Sequence, residues 1–244
     1  MADTLLLIHG FAFDNRIWNP VEIAFEGLNT VMFSLPGFDG QPVPAPYTIV
    51  ELAERFWRDL DQQGVGRVHL AGHSMGGYTV MEMAAQQPDR VLSVALIHSH
   101  VFADSEEKRK ARSVAIGDIK ANGRTTYIQN MIPSLFANPV TMGAVIDALT
   151  ARAMTREDAT WYHGLYALRE RNDHTMTLQQ LKVPVLMLMG ERDGAVPLDW
   201  ALKQAPIAER TTFHLYANSG HMAMYENTLQ MIRDLNGFYR QFQS

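Results

Sequence analysis

Residues 67–87 read Arg-Val-His-Leu-Ala-Gly-His-Ser-Met-Gly-Gly-Tyr-Thr-Val-Met-Glu-Met-Ala-Ala-Gln-Gln. An apolar run with Val68, Leu70 and Ala71 meets a turn at residues 72–76, and an apolar helical pattern follows. The expected unit is strand, tight turn, helix, with Ser74 at the tip. Gly72 and Gly76 flank the serine at i−2 and i+2, where a side chain would press on the neighbouring strand or helix. The turn is expected to hold Ser74 in a strained backbone conformation with its hydroxyl clear of the main chain. Helix N–H groups behind it can receive negative charge. The five-residue pattern alone is common; the strand before it and the helix after it carry the specificity.

The rest of the chain repeats the strand–helix alternation. Residues 4–8 form a continuous apolar run ending in His9-Gly10-Phe11, as expected of a parallel strand buried on both faces. Residues 18–25 suggest a short helix, and residues 29–35 a second strand that ends at the turn cluster of residues 36–40. Residues 41–47 hold three prolines and are expected to be irregular. Thr48 and Glu51 have capping-box spacing, with Ile49, Leu52, Ala53, Phe56 and Leu60 on one helical face. Further strands are expected at residues 90–98, 183–189 and 211–216. Pro197 is expected to open a helix. Asn227 and Gln230 are expected to cap a final one, with Leu229, Ile232, Leu235 and Phe238 facing inward.

Residues 104–178 break this rhythm and hold no convincing strand. Asp104 and Glu107 suggest a helix cap, and the charge run at 106–112 reads as that helix's solvated face. Trp161, Tyr162, Leu165, Tyr166 and Leu168 suggest another amphipathic helix. The expected organisation is a core of residues 1–103 and 179–244 interrupted by a helical cap insertion at 104–178.

Ser74, Asp193 and His221 each follow the C-terminal end of an expected strand, the edge where open α/β sheets form their ligand crevice. A serine hydroxyl needs a base to become a good nucleophile. A neutral imidazole is that base near pH 7, and a carboxylate on its other nitrogen fixes the tautomer. The oxyanion formed on attack needs preorganised donors, for which the Phe11 and Met75 amides are candidates. Asp104 is the competing acid, disfavoured because the Gly190-Glu191-Arg192-Asp193 turn fits better. His73 and His9 read as structural, His9 ordering the loop before Phe11. His98 and His100 have a spacing that could suit a metal, but without evident partners no metal and no cofactor are expected. Pocket candidates are Phe13, Phe38, His100, Trp161, Tyr162, Tyr166 and Met222, with Phe11, Met75 and His163 as further possibilities.

His9-Gly10-Phe11, Pro36-Gly37-Phe38, Gly72-His73-Ser74-Met75-Gly76-Gly77, Gly190-Glu191-Arg192-Asp193 and Ser219-Gly220-His221 together resemble an α/β-hydrolase of the serine esterase and lactonase-like branch. The resemblance implies an α/β fold with a doubly wound sheet and a triad of Ser74, Asp193 and His221 in that chain order. It also implies an oxyanion hole of the Phe11 and Met75 amides. Two strands that usually precede the His-Gly strand find no room here, so a trimmed, six-stranded, all-parallel sheet is expected. Serine at position 74 argues against the epoxide hydrolases and haloalkane dehalogenases of this fold, which need a carboxylate nucleophile. The implied activity is hydrolysis of small, largely apolar carboxylic esters. A lactonase, a C–C bond hydrolase or perhydrolase, and a non-catalytic small-molecule receptor are alternatives.

Bulk properties narrow the partners. The 244 residues carry a net charge of −5 and no large basic block, which disfavours nucleic acid. No run approaches the ~20 apolar residues of a membrane span, and the N-terminus lacks an export-signal pattern. With no cysteine, disulfides and thiolate metal sites are excluded. A cytoplasmic monomer or homodimer acting on a small-molecule ester is the expectation.

Overall fold

A computed structural model describes residues 3–43 and 45–242. Its centre is one six-stranded sheet of β1 (Thr4–Ile8), β2 (Asn29–Phe33), β3 (Val68–His73), β4 (Val91–Ile97), β5 (Val185–Gly190) and β6 (Thr211–Tyr216). The order is β2-β1-β3-β4-β5-β6, with every neighbouring pair parallel. Among the described residues the sheet is six-stranded and all-parallel, as expected.

Strand burial follows position. Every residue of β1, β3 and β5 is buried, whereas the edge strands β2 and β6 are partly exposed. Continuous apolar runs mark strands covered on both faces. Alternation then sends Leu6 and Ile8 into one core layer and Leu5 and Leu7 into the other. On β5, Met187 and Met189 join the first layer, and Leu186 and Leu188 the second.

The helix α1 (Ile49–Gln62) starts as its sequence directs. Glu51 N–H donates to Thr48 Oγ1 at 3.2 Å, and Thr48 N–H donates to Glu51 Oε2 at 2.7 Å. The reciprocal pair satisfies two amides that the helix cannot. Helix α2 (Met75–Gln86) follows β3 without a linker beyond Ser74.

Between β4 and β5 the chain runs through α3 (Glu106–Asn122), α4 (Thr125–Ser134), α5 (Gly143–Met154), α6 (Asp158–Arg169) and α7 (Thr175–Gln180). The last elements are α8 (Leu198–Gln204), before β6, then α9 (Ala223–Glu226) and α10 (Thr228–Tyr239). No helix among the described residues is long and apolar enough to cross a membrane.

Several local expectations change. Residues 18–25 belong to a longer 3-10 segment, Asn15–Phe25, started by the Asp14 side chain accepting from the Arg16 amide. Ser105, not Asp104 or Glu107, caps α3 by accepting from the Lys108 amide, because Asp104 is held by two arginines instead. Pro197 precedes α8 rather than opening it. Asn227 precedes α10 but makes no side-chain cap, and Leu229 is 76% exposed. The buried stripe of α10 is Met231, Leu235, Phe238 and Tyr239, equally periodic and rotated about the helix axis. Of the proline-rich stretch at 41–47, Pro44 lies outside the described residues, and the others are irregular.

Candidate active site

The sheet reverses its winding between β1 and β3: the chain goes outward to β2, then returns to the other side of β1. The turns after β1 and β3 therefore sit together at the switch point, where open sheets leave a crevice. Backbone contact builds the turn after β3. A Cβ on Gly72 would lie 2.2 Å from the Gly76 carbonyl carbon and oxygen, and one on Gly76 would lie 2.1 Å from the Ile8 oxygen. Only hydrogen fits at either place. Ser74 is left at φ 51° and ψ −114°, a conformation that side-chain-bearing residues rarely adopt. Its amide donates to the Ile97 carbonyl at 2.9 Å, and its carbonyl accepts from Ser99 Oγ at 2.8 Å and the Gly77 amide at 2.9 Å. With both main-chain groups engaged, the strained turn is locked.

Asp193 and His221 arrive from the ends of β5 and β6. Close packing again sets the approach: a Cβ on Gly190 would lie 2.0 Å from the Gly220 oxygen. His221 Nδ1 donates to Asp193 Oδ2 at 2.8 Å. The other carboxylate oxygen accepts from the Ala195 and Val196 amides, both at 2.8 Å. Burial alone would raise the Asp193 pKa, but His221 and then His98 overturn this and hold it far below the usual carboxylate range. Asp104, the competing acid, is buried and occupied by Arg112 and Arg171.

His98 is a partner that strand-end reasoning did not assign. The Ala223 amide donates to its Nε2 at 3.3 Å, so its proton resides on Nδ1 and is donated to Asp193 Oδ2 at 3.0 Å. Burial lowers the His98 pKa and favours this neutral tautomer. Asp193 Oδ2 thus receives two imidazoles. Among the described residues His98, Asp193 and His221 are also the one group of three whose ligating atoms, all within 4.8 Å, could hold a metal ion. The same carboxylate oxygen and both Nδ1 atoms are already engaged in hydrogen bonds with one another.

The remaining histidines support the frame. His73 Nε2 donates to the His221 carbonyl at 3.0 Å, and burial, then His221 and His98, push its pKa well down. His9 Nε2 accepts from the Leu35 amide at 3.1 Å, and its Nδ1 donates to the Gly10 carbonyl at 2.9 Å, bracing the turn that carries Phe11.

Ser74 and His221 line one cavity of about 430 Å³. Phe11 and Phe13 line it. Met75 is fully buried as the first residue of α2, where its amide has no intrahelical acceptor. The other pocket candidates lie elsewhere. Phe38 is core, edge-on to His9. Trp161 is fully buried behind Phe11 and Tyr127. Tyr162 and Tyr166 are half-buried beneath Lys120 and Arg169 and do not line the cavity, while Leu165 and Leu168 of the same helix do. Met222 is fully buried in the core layer. His100 lies behind Tyr78, whose hydroxyl it meets at 3.1 Å.

Helix α3 supplies further lining, Lys108, Ala111, Arg112 and Ala115, the first three from the charge run at 106–112 expected to face solvent. Their spacing of i, i+3, i+4 and i+7 was the available signal, masked by flanking charges. Tyr78, Tyr127, Met131 and Leu135 also line the cavity. The backbone also joins this wall to the histidine, since His221 N–H donates to the Leu135 carbonyl at 2.7 Å.

A strained serine at a sheet switch point and a histidine oriented by a buried carboxylate, on one cavity, define the class. The chain belongs to the alpha/beta hydrolase family, whose model matches residues 5–233. It is 30% identical over 235 residues to the dihydrolipoyllysine-residue acetyltransferase component of an acetoin cleaving system from Cupriavidus necator, covering 92% of this chain and 60% of that protein. The chain spans between 47% and 63% of the length of the first curated relatives it matches. A thermophilic esterase from Thermogutta terrifontis has the same fold, with TM-score 0.89 and 23% identity over 100% of this chain and 92% of that one. The enol-lactonase of Burkholderia xenovorans LB400 has TM-score 0.89 and 20% identity over 98% and 92%.

Proposed function

We propose that this protein is a serine hydrolase of small carboxylic esters, working through Ser74, His221 and Asp193. The observation that carries this reading is the 2.8 Å hydrogen bond from His221 Nδ1 to a deeply buried Asp193, beside a cavity shared with strained Ser74. With Nδ1 donating, Nε2 of neutral His221 is the free base.

In this reading the Ser74 hydroxyl attacks the ester carbonyl as His221 Nε2 takes its proton. The Phe11 and Met75 amides receive the oxyanion. His221 then protonates the departing alkoxide, leaving an acyl group on Ser74. A water molecule, deprotonated by the same nitrogen, attacks the acyl carbon; the carboxylic acid leaves and Ser74 regains its proton. Asp193 stabilises the imidazolium in both halves without accepting the proton. Residues 104–178 act as the cap that gives the cavity its outer wall and selects the substrate.

Ser74→Ala is expected to lower kcat/KM for a small aryl ester by at least about 10³-fold with an unchanged circular dichroism spectrum. Full turnover by that variant would end the proposal. Lactone hydrolysis is the second reading, supported by the likeness to an enol-lactonase. It needs the same groups, with the leaving alkoxide still tethered. Efficiency on a lactone against its open-chain ester separates the two.

A further inference from the structure

The ester mechanism leaves one wall of the cavity unexplained. Lys108, Ala111, Arg112 and Ala115 form a single stripe of α3 on the cavity, so two small residues stand beside two cations. A purely apolar ester needs neither cation, and half-buried charge is costly unless it is paired.

Charge on this wall does not balance. The fully buried Asp104 carboxylate serves both Arg112 and Arg171, the latter at 2.6 Å. Lys108 adds a third cation. Its Nζ donates to the Ala195 carbonyl at 3.3 Å and lies 4.8 Å from the centre of the Trp200 ring. Among the described residues no carboxylate pairs with it. Counting Asp193 as well, Lys108, Arg112 and Arg171 still outnumber Asp104 and Asp193. Burial, then the charge of Arg112, lowers the Lys108 pKa, as expected for an ammonium short of counter-charge.

Tyr78 adds a third donor to the same cavity. The Phe102 amide donates to His100 Nδ1 at 3.2 Å, so the ring proton sits on Nε2 and goes to the Tyr78 oxygen at 3.1 Å. Burial keeps His100 neutral, with its pKa pushed down to about 2. The Tyr78 hydroxyl is therefore an acceptor toward His100 and retains its own proton for another partner. The guanidinium of Arg171 lies 4.2 Å from the Tyr78 ring centre, adding positive potential behind it.

We propose that Lys108, Arg112 and Tyr78 form an anion subsite, and that the substrate is an ester whose acyl or alcohol part ends in a carboxylate. The ester end of this proposal rests on the serine-hydrolase reading; the anion end does not. Phe13, Leu165 and Leu168 line the space for an apolar stem, and the three donors receive the carboxylate. Hydrolysis consumes one water and releases a dicarboxylate when the charge is on the acyl side, or a hydroxy acid when it is on the alcohol side.

Three esters decide the matter: monoethyl glutarate (charge on the acyl part), the pentanoyl ester of 4-hydroxybutanoate (charge on the alcohol part) and neutral ethyl pentanoate. One anionic ester is expected to exceed ethyl pentanoate in kcat/KM by at least about tenfold. Lys108→Met should bring that ratio toward one, and Lys108→Arg should retain it. Calorimetric titration with glutarate, which needs no turnover, should show binding at least about tenfold weaker in Lys108→Met. Lysine-dependent glutarate binding without hydrolysis of any ester would keep the anion subsite and remove the hydrolase reading. Ratios near one in the wild type, without lysine-dependent glutarate binding, would overturn the subsite and leave hydrolysis standing.

Discussion

Replacing Gly76 by alanine tests whether backbone contact, rather than side-chain chemistry, builds the site. The new Cβ would lie 2.1 Å from the Ile8 oxygen, 2.7 Å from the Ile8 carbonyl carbon and 2.9 Å from the His9 oxygen. Ordinary contact begins near 3.4 Å, so α2 and β1 must separate by more than about 1 Å. Neither side can yield cheaply, since the obstacle is main chain of a fully buried strand. Overpacking of this kind costs about 3 kcal/mol or more, the upper end of its usual range. For a chain of this length that is a fall in Tm of roughly 6–12 °C. The same shift moves Ser74 and the Met75 amide relative to Phe11, and a misplacement of about 1 Å can lower kcat by about 10²-fold. Gly117→Ala is the matched control: it lies inside α3 with no atom within 4 Å of its Cβ position. It should gain about 0.5–1 kcal/mol from helix propensity. Thermal melts followed by circular dichroism, with ester hydrolysis on the same samples, give both readings. A Gly76→Ala protein that melts within about 2 °C of wild type and keeps its kcat would show that main-chain contact at this glycine does not set the site.

Asp193→Asn preserves shape but not donor balance. All four contacts to the carboxylate are N–H groups, from His221, His98, Ala195 and Val196, so an amide NH₂ must face donors in either orientation. Steady-state kinetics should show a loss in kcat of about 10³–10⁴-fold. Acidification from neutral pH should destabilise the fold through its buried histidines. His73 and His98 have folded pKa values below their unfolded values near 6.5, so the unfolded chain binds more protons below that pH. Each then removes up to about 1.4 kcal/mol per pH unit, and melts between pH 7 and 5 should show Tm falling; a flat profile would contradict the buried neutral assignments. Glu226 joins the cavity wall to the histidine loop, accepting from the Ala137 amide at 2.7 Å and the Gly220 amide at 2.8 Å. Glu226→Ala should cost about 1–3 kcal/mol in urea melts and speed amide exchange at residues 135–137 and 219–221.

The parts of the site legible in the sequence were those that one strand or one turn determines alone. Buried parallel strands announce themselves as apolar runs, and the glycines at 72 and 76 announce close backbone approach. Asp193 and His221 meet because each lies in the loop that follows its strand at the same sheet edge. The cavity wall was not legible, because it depends on how α3 and α6 rotate against the sheet. Polarity misled at α3, where Lys108 and Arg112 face inward beside two alanines. Aromatic character misled at α6, where Trp161 is core, Tyr162 and Tyr166 lie under cations, and the less conspicuous Leu165 and Leu168 line the space. One local cue could have fixed the α6 rotation. Gly164 leaves room for the Phe11 ring, where a Cβ would lie 2.5 Å from Phe11 Cε2. His98 escaped for another reason: its role depends on β4 and β5 being neighbours, which no short stretch encodes.

A Ser74 nucleophile activated by His221 can be trapped covalently. The protein should be treated with a fluorophosphonate at neutral pH and read by intact mass and peptide mapping. One adduct per chain is expected, on Ser74, absent in Ser74→Ala and formed at least about 10²-fold more slowly in His221→Ala. No adduct on the folded wild-type protein, or an adduct on another residue, would contradict it.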